Sequence, residues 1–426
     1  MSNLLIPKRI RSVYESTISL MRILHINQKD IAGGAAIAAH RLHQGLLQRN
    51  IDSRFLVNRK ETNDDRVSLI PPASRTEKRI QRFTDPFGLT QIHLLSTFNL
   101  RQHPAYRSAD VINFHNLHDG YFNYLAIAHL TQNKPTVLTL HDMWSITGHC
   151  SFSFGCDRWK IGCGHCPDLE IFPPMKRDRT RWEWKLKQWT YQRANLTIVA
   201  PSRWLASVAR NSPLFQHFAV HHIPYGINTD IYQPLDPEYC RTQLNIPKEK
   251  KVLLFVATQL QEWRKGGDLL FAALQQLPES LKAETVLLML GEGSIEDTGI
   301  EAISLGYVQD EHLKAIAYSA ADLFVFPTRA DNLPLVLQES LACGTPMISC
   351  DVGGVSDLVR SGVTGYLAKP EDITDFAQGI VMLLEDEGRR SRMKQQCRAI
   401  ALSEYRLDLQ AQRYLELYFD ISSFYW

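Results

Sequence analysis

Two α/β layers, each built on a parallel sheet, are predicted for this chain, and three observations predict them. Its 426 residues exceed what one hydrophobic core organises, so two domains of roughly 200 residues are expected. From Met21 onward, short apolar runs alternate with helical segments, the rhythm of strand–helix–strand units. A stretch rich in proline and turn residues, Ile223 to Pro234, then divides the series into two halves of similar rhythm.

The buried-type strands of the first half are Ile23 to Ile26, Ser53 to Val57, Val111 to Phe114, Thr136 to Leu140 and Leu196 to Val199. Those of the second are Lys251 to Val256, Thr285 to Leu290, Leu323 to Phe326 and Met347 to Ser349. The expected layout is an extension over residues 1–20, a first domain over 21–224 with a cysteine-rich insertion at 149–167, and a second domain over 235–405. A last helix begins near residue 406. In such sheets ligands gather at the carboxyl ends of the strands.

Composition narrows the function. A formal net charge of +2 provides no global field for nucleic acid, and no apolar run reaches the roughly 20 residues needed to span a bilayer. Residues 1–20 lack the continuous apolar stretch of a signal peptide, so a cytoplasmic protein is expected. Arg75, Lys78, Arg79 and Arg82, with the apolar segment Ile92 to Phe98, fit either peripheral contact with an anionic membrane face or a helix packed on the core.

The chemistry concentrates in the segment Arg329 to Gly354. Asp331 and Glu339 stand eight positions apart around a helix start marked by Pro334. Proline suits the first turn of a helix, and the backbone N–H groups of Asn332, Leu333 and Leu335 beside it can face an anion, while the two acids accept from ribose and hexose hydroxyls. Upstream, Arg264 and Lys265 sit in a strand-to-helix loop, a concentrated cation suited to a leaving phosphate. In the first half, Gly33 and Gly34 open a small-residue helix and let backbone approach a diphosphate or an acceptor. His141 and Asp142 emerge at the carboxyl end of a strand; the histidine can donate to a sugar hydroxyl or orient an acceptor, with Asp142 as its orienter or as a loop cap. Ser202 reads as a helix N-cap, and Arg203 beside it reaches toward phosphate or acceptor.

Cys150, Cys156, Cys163 and Cys166 crowd into one loop with the spacing Cys-x5-Cys-x6-Cys-x2-Cys. Four thiolates there could close a tetrahedral structural zinc site; reduced packing thiols and disulfides are the other readings.

Segment 329–354 resembles the Glu-x7-Glu signature of retaining GT-B glycosyltransferases of family 4, in an Asn-Leu-Pro variant with Asp331 in place of the first Glu. The resemblance implies two Rossmann-like domains facing a cleft, with the last helix crossing back to the first domain. It assigns Glu339 to the nucleotide ribose, Asp331 to a donor-sugar hydroxyl, Asn332 and Leu333 to backbone contacts, and His141 to the donor sugar. Lys265-Gly266 matches the family's Lys-Gly, whereas the Arg-Leu usual upstream appears as Gln259-Leu260, so that Arg264 would supply the guanidinium. Gly291 and Val308 fall in loops that resemble the nucleotide wall.

The implied reaction moves a hexosyl group from a nucleoside-diphosphate sugar to a saccharide or lipid-linked saccharide hydroxyl with retained configuration, in polysaccharide assembly. It needs no divalent metal for catalysis. A nucleotide-sugar epimerase or phosphorylase, and a catalytically silent sugar-nucleotide binder on the same framework, are the alternatives.

Overall fold

The computed structural model describes residues 21–293 and 298–423, so the extension assigned to residues 1–20 lies outside the described residues. The chain divides into two compact units, one running to Tyr225 and resuming at Asp408, the other spanning Gly226 to Leu407.

In the first unit, seven parallel strands lie in the order β3-β2-β1-β4-β5-β6-β7. They are β1 (Arg22–Lys29), β2 (Asp52–Arg59), β3 (Val67–Leu69), β4 (Val111–Phe114), β5 (Thr136–Thr139), β6 (Thr197–Ala200) and β7 (Val220–His222). The second unit repeats the pattern as β10-β9-β8-β11-β12-β13, also parallel. Its strands are β8 (Lys251–Gln259), β9 (Thr285–Glu292), β10 (Glu301–Ser304), β11 (Leu323–Phe326), β12 (Met347–Cys350) and β13 (Gly365–Ala368). Strands β4, β5, β11 and β12 are buried along their whole length, as sheets covered on both faces require.

Four strands escaped the sequence reading, β3, β7, β10 and β13, and they are the four sheet edges. An edge strand is covered on fewer sides and carries no long apolar run; β10 reads Glu-Ala-Ile-Ser and is mostly exposed. The segment Ile92 to Phe98 is largely core: His93, Leu94 and Thr97 are buried, Ile92 and Phe98 pack against the apolar cluster, and Leu95 is exposed. Arg75–Thr84 is a helix held at its start by a reciprocal capping box, in which Glu77 Oε2 accepts from Ser74 N–H and Ser74 Oγ accepts from Glu77 N–H. Among the described residues no helix is long and apolar enough to cross a membrane.

The helix Leu407–Ser422 belongs to the first unit from Asp408 onward. Tyr418 Oη accepts from Asn113 Nδ2 at 2.8 Å, and Tyr414 Oη lies 3.0 Å from Thr139 Oγ1, so two buried hydroxyls lock the helix onto β4 and β5.

Candidate functional site

Both sheets reverse strand order at one point, between β1 and β4 in the first and between β8 and β11 in the second, where parallel sheets open a crevice at their carboxyl ends. In the second unit, β8 leads into a turn at Trp263–Lys265, closed by Gly266 at φ +76°. A Cβ there would stand 1.9 Å from Pro327 O, so only glycine lets this loop lie against the loop after β11. That approach brings Lys265 Nζ to 2.8 Å and Arg264 to 3.3 Å from Asp331 Oδ2, which also accepts from Thr328 Oγ1 at 3.1 Å. Arg264 donates further to Ala330 O and pairs with Glu262.

All these side-chain bonds to Asp331 fall on Oδ2. Burial alone would raise the Asp331 carboxyl, but the Lys265 and Arg264 charges prevail and hold it below the ordinary value. Burial lowers the Lys265 ammonium, with Asp331 opposing. The cluster is an ionised, largely desolvated triad whose cations are held at a sheet reversal point.

Gly353 and Gly354 brace the loop of Asp331: a Cβ on Gly353 would meet Asp331 O at 2.1 Å, and Gly354 N–H donates to the same oxygen. Asn332 and Leu333 are buried beside it. Pro334 caps the helix Leu335–Ala342, and Glu339 on that helix is buried and accepts from Tyr318 Oη at 3.2 Å. Gly291, at the end of β9, has φ +150° and no room for a Cβ against Ala257 O; its N–H donates to Gly306 O, two residues before the buried Val308.

Arg329 was not singled out from sequence, although it neighbours Asp331. Its guanidinium takes Asp268 through two bonds, pairs with Glu371, donates to Trp263 O and stacks on the Trp263 ring, pinning the Arg264-Lys265 turn from beneath.

The reversal point of the first unit is filled differently. Gly33, at φ +91°, precedes the helix Gly34–Gln48, and a Cβ on Gly33 or Gly34 would meet nothing within 4 Å. His141, just past β5, has both ring nitrogens engaged: Nδ1 with Tyr225 Oη at 2.7 Å and Nε2 with His115 Nδ1 at 2.9 Å. The row continues from His115 Nε2 to His25 Nδ1 at 3.0 Å, from His25 Nε2 to Ser53 Oγ at 3.1 Å, and from Ser53 Oγ to His43 Nδ1 at 2.7 Å. Asp142 is not the orienter of His141. Its carboxylate takes His118 Nε2 at 2.9 Å and Trp144 N–H at 2.8 Å, because its backbone position turns it toward the following loop, and Tyr225 and His115 orient His141 instead. Ser202 caps its helix by accepting from Leu205 N–H, and Arg203 is exposed on the first turn. The signal for the histidine row was present in the sequence: His25 lies within β1, and His115 and His141 directly follow apolar strand ends.

Cys150, Cys156, Cys163 and Cys166 line one cavity with His149, whose Nε2 lies 3.3 Å from Cys166 Sγ. None is in a disulfide, and burial raises the thiols of Cys150 to about 12 and Cys163 to about 11. Among the described residues no three or more His, Cys, Asp or Glu side chains are already gathered closely enough to hold a metal ion. The buried Lys187, on the helix Thr180–Tyr191 that follows the insertion, donates to Trp144 O and Thr147 O in the loop after β5, beneath the Trp144 ring.

Two family models match the chain, one in each half. A model of the glycosyl transferases group 1 matches residues 238–399, and one of glycosyltransferase family 4 matches residues 32–231. WcaC of Escherichia coli, named for glycosyl transfer in colanic acid biosynthesis, is 29% identical over 377 residues, which cover 84% of this chain and 90% of that protein. A D-inositol 3-phosphate glycosyltransferase of Xylanimonas cellulosilytica is 30% identical over 218 residues, 47% of this chain and 51% of that one. Sucrose-phosphate synthase from Thermosynechococcus elongatus superposes with a TM-score of 0.68 at 19% identity, covering 95% of this chain and 99% of that one. HepE from Anabaena, solved with UDP-glucose, gives 0.66 at 17% identity, covering 94% and 100%. These two structures share the two-domain GT-B fold with this chain.

Proposed function

The chain belongs to the group 1 glycosyltransferases of family 4, and from that premise we propose that it moves a hexosyl group from a nucleoside-diphosphate sugar to a hydroxyl of a saccharide or lipid-linked saccharide, with retention at the anomeric carbon, in polysaccharide assembly. The observation that carries this reading is the Lys265–Arg264–Asp331 triad at the reversal point of the second sheet. As the bond between the anomeric carbon and the phosphate oxygen breaks, its electron pair passes to the diphosphate. Lys265 and Arg264 stabilise that growing charge in a site of low dielectric. The acceptor oxygen attacks from the same face and its proton passes to the departing phosphate. Asp331 Oδ2 holds the two cations in place, and Oδ1 takes a sugar hydroxyl. Glu339, steadied by Tyr318, takes the ribose. Since two side-chain cations supply the positive charge, no divalent metal is called for.

The test is calorimetry and turnover with a panel of UDP-, GDP- and ADP-hexoses. One donor should bind, Lys265→Ala should lower kcat/KM by about 10²–10³, and Glu339→Ala should weaken binding of the donor. Turnover near wild type in both variants would remove the site assignment.

The cysteine cavity carries a narrower proposal, a structural zinc ion that would draw Cys150, Cys156, Cys163 and Cys166 together as thiolates. Native mass spectrometry should find one zinc per chain and none in Cys163→Ser. A metal-free chain of unchanged melting temperature would refute it.

A further inference from the structure

The row Tyr225–His141–His115–His25–Ser53–His43 crosses the first sheet from past the end of β5, through β4 and β1, to β2 and the helix behind it. At its far end His43 Nε2 is buried, has no hydrogen-bond partner, and points at Asp64 Oδ2 from 3.7 Å. A neutral imidazole has one N–H and one lone pair. Between imidazoles each link dictates the next, so His25, His115 and His141 share one tautomer. Ser53 Oγ has one proton and two lone pairs: facing a lone pair at His43 Nδ1 it donates there and accepts from His25 Nε2–H, which puts all four rings on Nε2, whereas an Nδ1–H at His43 leaves the other three free to take either form. A tyrosine hydroxyl satisfies either one. A carboxylate is acceptor-only, and although 3.7 Å is too long for a hydrogen bond, it attracts a facing N–H and repels a facing lone pair.

We propose that Asp64 sets the tautomer of His141 through this row, fixing all four rings as Nε2–H, so that His141 offers Nδ1 as an acceptor. Asp64, His43, Ser53, His25 and His115 are then positioning residues for His141. Burial keeps the rings neutral: His43 and His141 are lowered to about 4, and His25 and His115 lie well below the usual histidine value. The tautomer assignment stands apart from the catalytic reading. Its consequence for substrate rests on that reading and reverses the polarity expected from sequence, since a donor hydroxyl that displaces Tyr225 would give its proton to His141 and receive none.

The test is long-range ¹H–¹⁵N correlation of the full chain labelled with ¹⁵N-histidine, at neutral pH. The expected result is the Nε2–H pattern for His25, His43, His115 and His141; in Asp64→Lys, whose cation favours the facing lone pair, His43 should turn to Nδ1–H and His141 should gain Nδ1–H, because Ser53 no longer has to donate to His43 and can donate to His25. Should that variant fail to fold, Asp64→Ala should leave His141 a mixture of both forms. Ser53→Ala should uncouple His141 from any change at Asp64. An Nδ1–H pattern at His141 in the unaltered chain, or one indifferent to Asp64, overturns the proposal. For the substrate arm, replacing the contacted donor hydroxyl by fluorine, which cannot donate, should weaken binding about two- to tenfold, and Asp64→Lys should recover it. If no sugar nucleotide binds at all, the catalytic reading fails while the tautomer result still decides this one.

Discussion

The two sheets share one strand order and fill its reversal point with opposite chemistry. In the first unit four neutral imidazoles share protons with hydroxyls; in the second, Arg264, Lys265 and Asp331 face one another as full charges. Backbone topology decides where a ligand is met, and a few side chains on adjacent strand ends decide what is met there. Hydroxyl-rich groups suit the neutral row, and phosphate suits the charged triad.

Breaking the charged side should have the largest effect. Asp331→Asn leaves the part-buried Lys265 without its counter-charge, a loss of up to about 3–5 kcal/mol, read as a lower urea midpoint for the second unit. The neutral side should instead answer to acid. A histidine with a lowered folded-state pKa takes its proton more readily once unfolded, so its contribution is complete above about 6.5 and is lost as pH falls toward 4. Each of His43 and His141 accounts for as much as roughly 3 kcal/mol. Over that window Asp331, held below the ordinary carboxylate value, stays largely ionised, so the triad should persist while the first unit weakens; a His43→Gln chain should show a flatter stability profile against pH. The smallest expected effect sharpens the geometry. Gly266→Ala forces a Cβ toward Pro327 O in a left-handed turn and should cost about 1–3 kcal/mol, with a lower melting temperature and a larger relative loss of kcat than of donor affinity.

What could be read from sequence follows the same physics. The nine central strands announced themselves because burial on both faces demands continuous apolar runs, and the four edges did not because nothing demands it of them. Asp331, Glu339 and Lys265 were legible as neighbours of proline and glycine punctuation. The single histidines were visible at strands and strand ends, but their joining into a row, like the Arg329 clamp, was not. Each joins residues far apart in the chain, Arg329 to Asp268 across 61 positions and His25 to His115 across 90, and only the sheet brings them together. Of the two readings of Asp142 the loop cap holds, since its carboxylate accepts from Trp144 N–H; the partnership that adjacency to His141 suggested is directed by the peptide geometry to His118 instead.

The tyrosine-locked terminal helix has a consequence for biosynthesis. Tyr414 and Tyr418 meet Thr139 and Asn113 across 275 and 305 positions, so a ribosome releases every strand of the first sheet before the piece that finishes it exists. At roughly 5–20 residues per second, translation leaves that nascent half incomplete for on the order of 10–40 s. A stop codon ahead of Tyr414 would therefore damage the half of the enzyme made first.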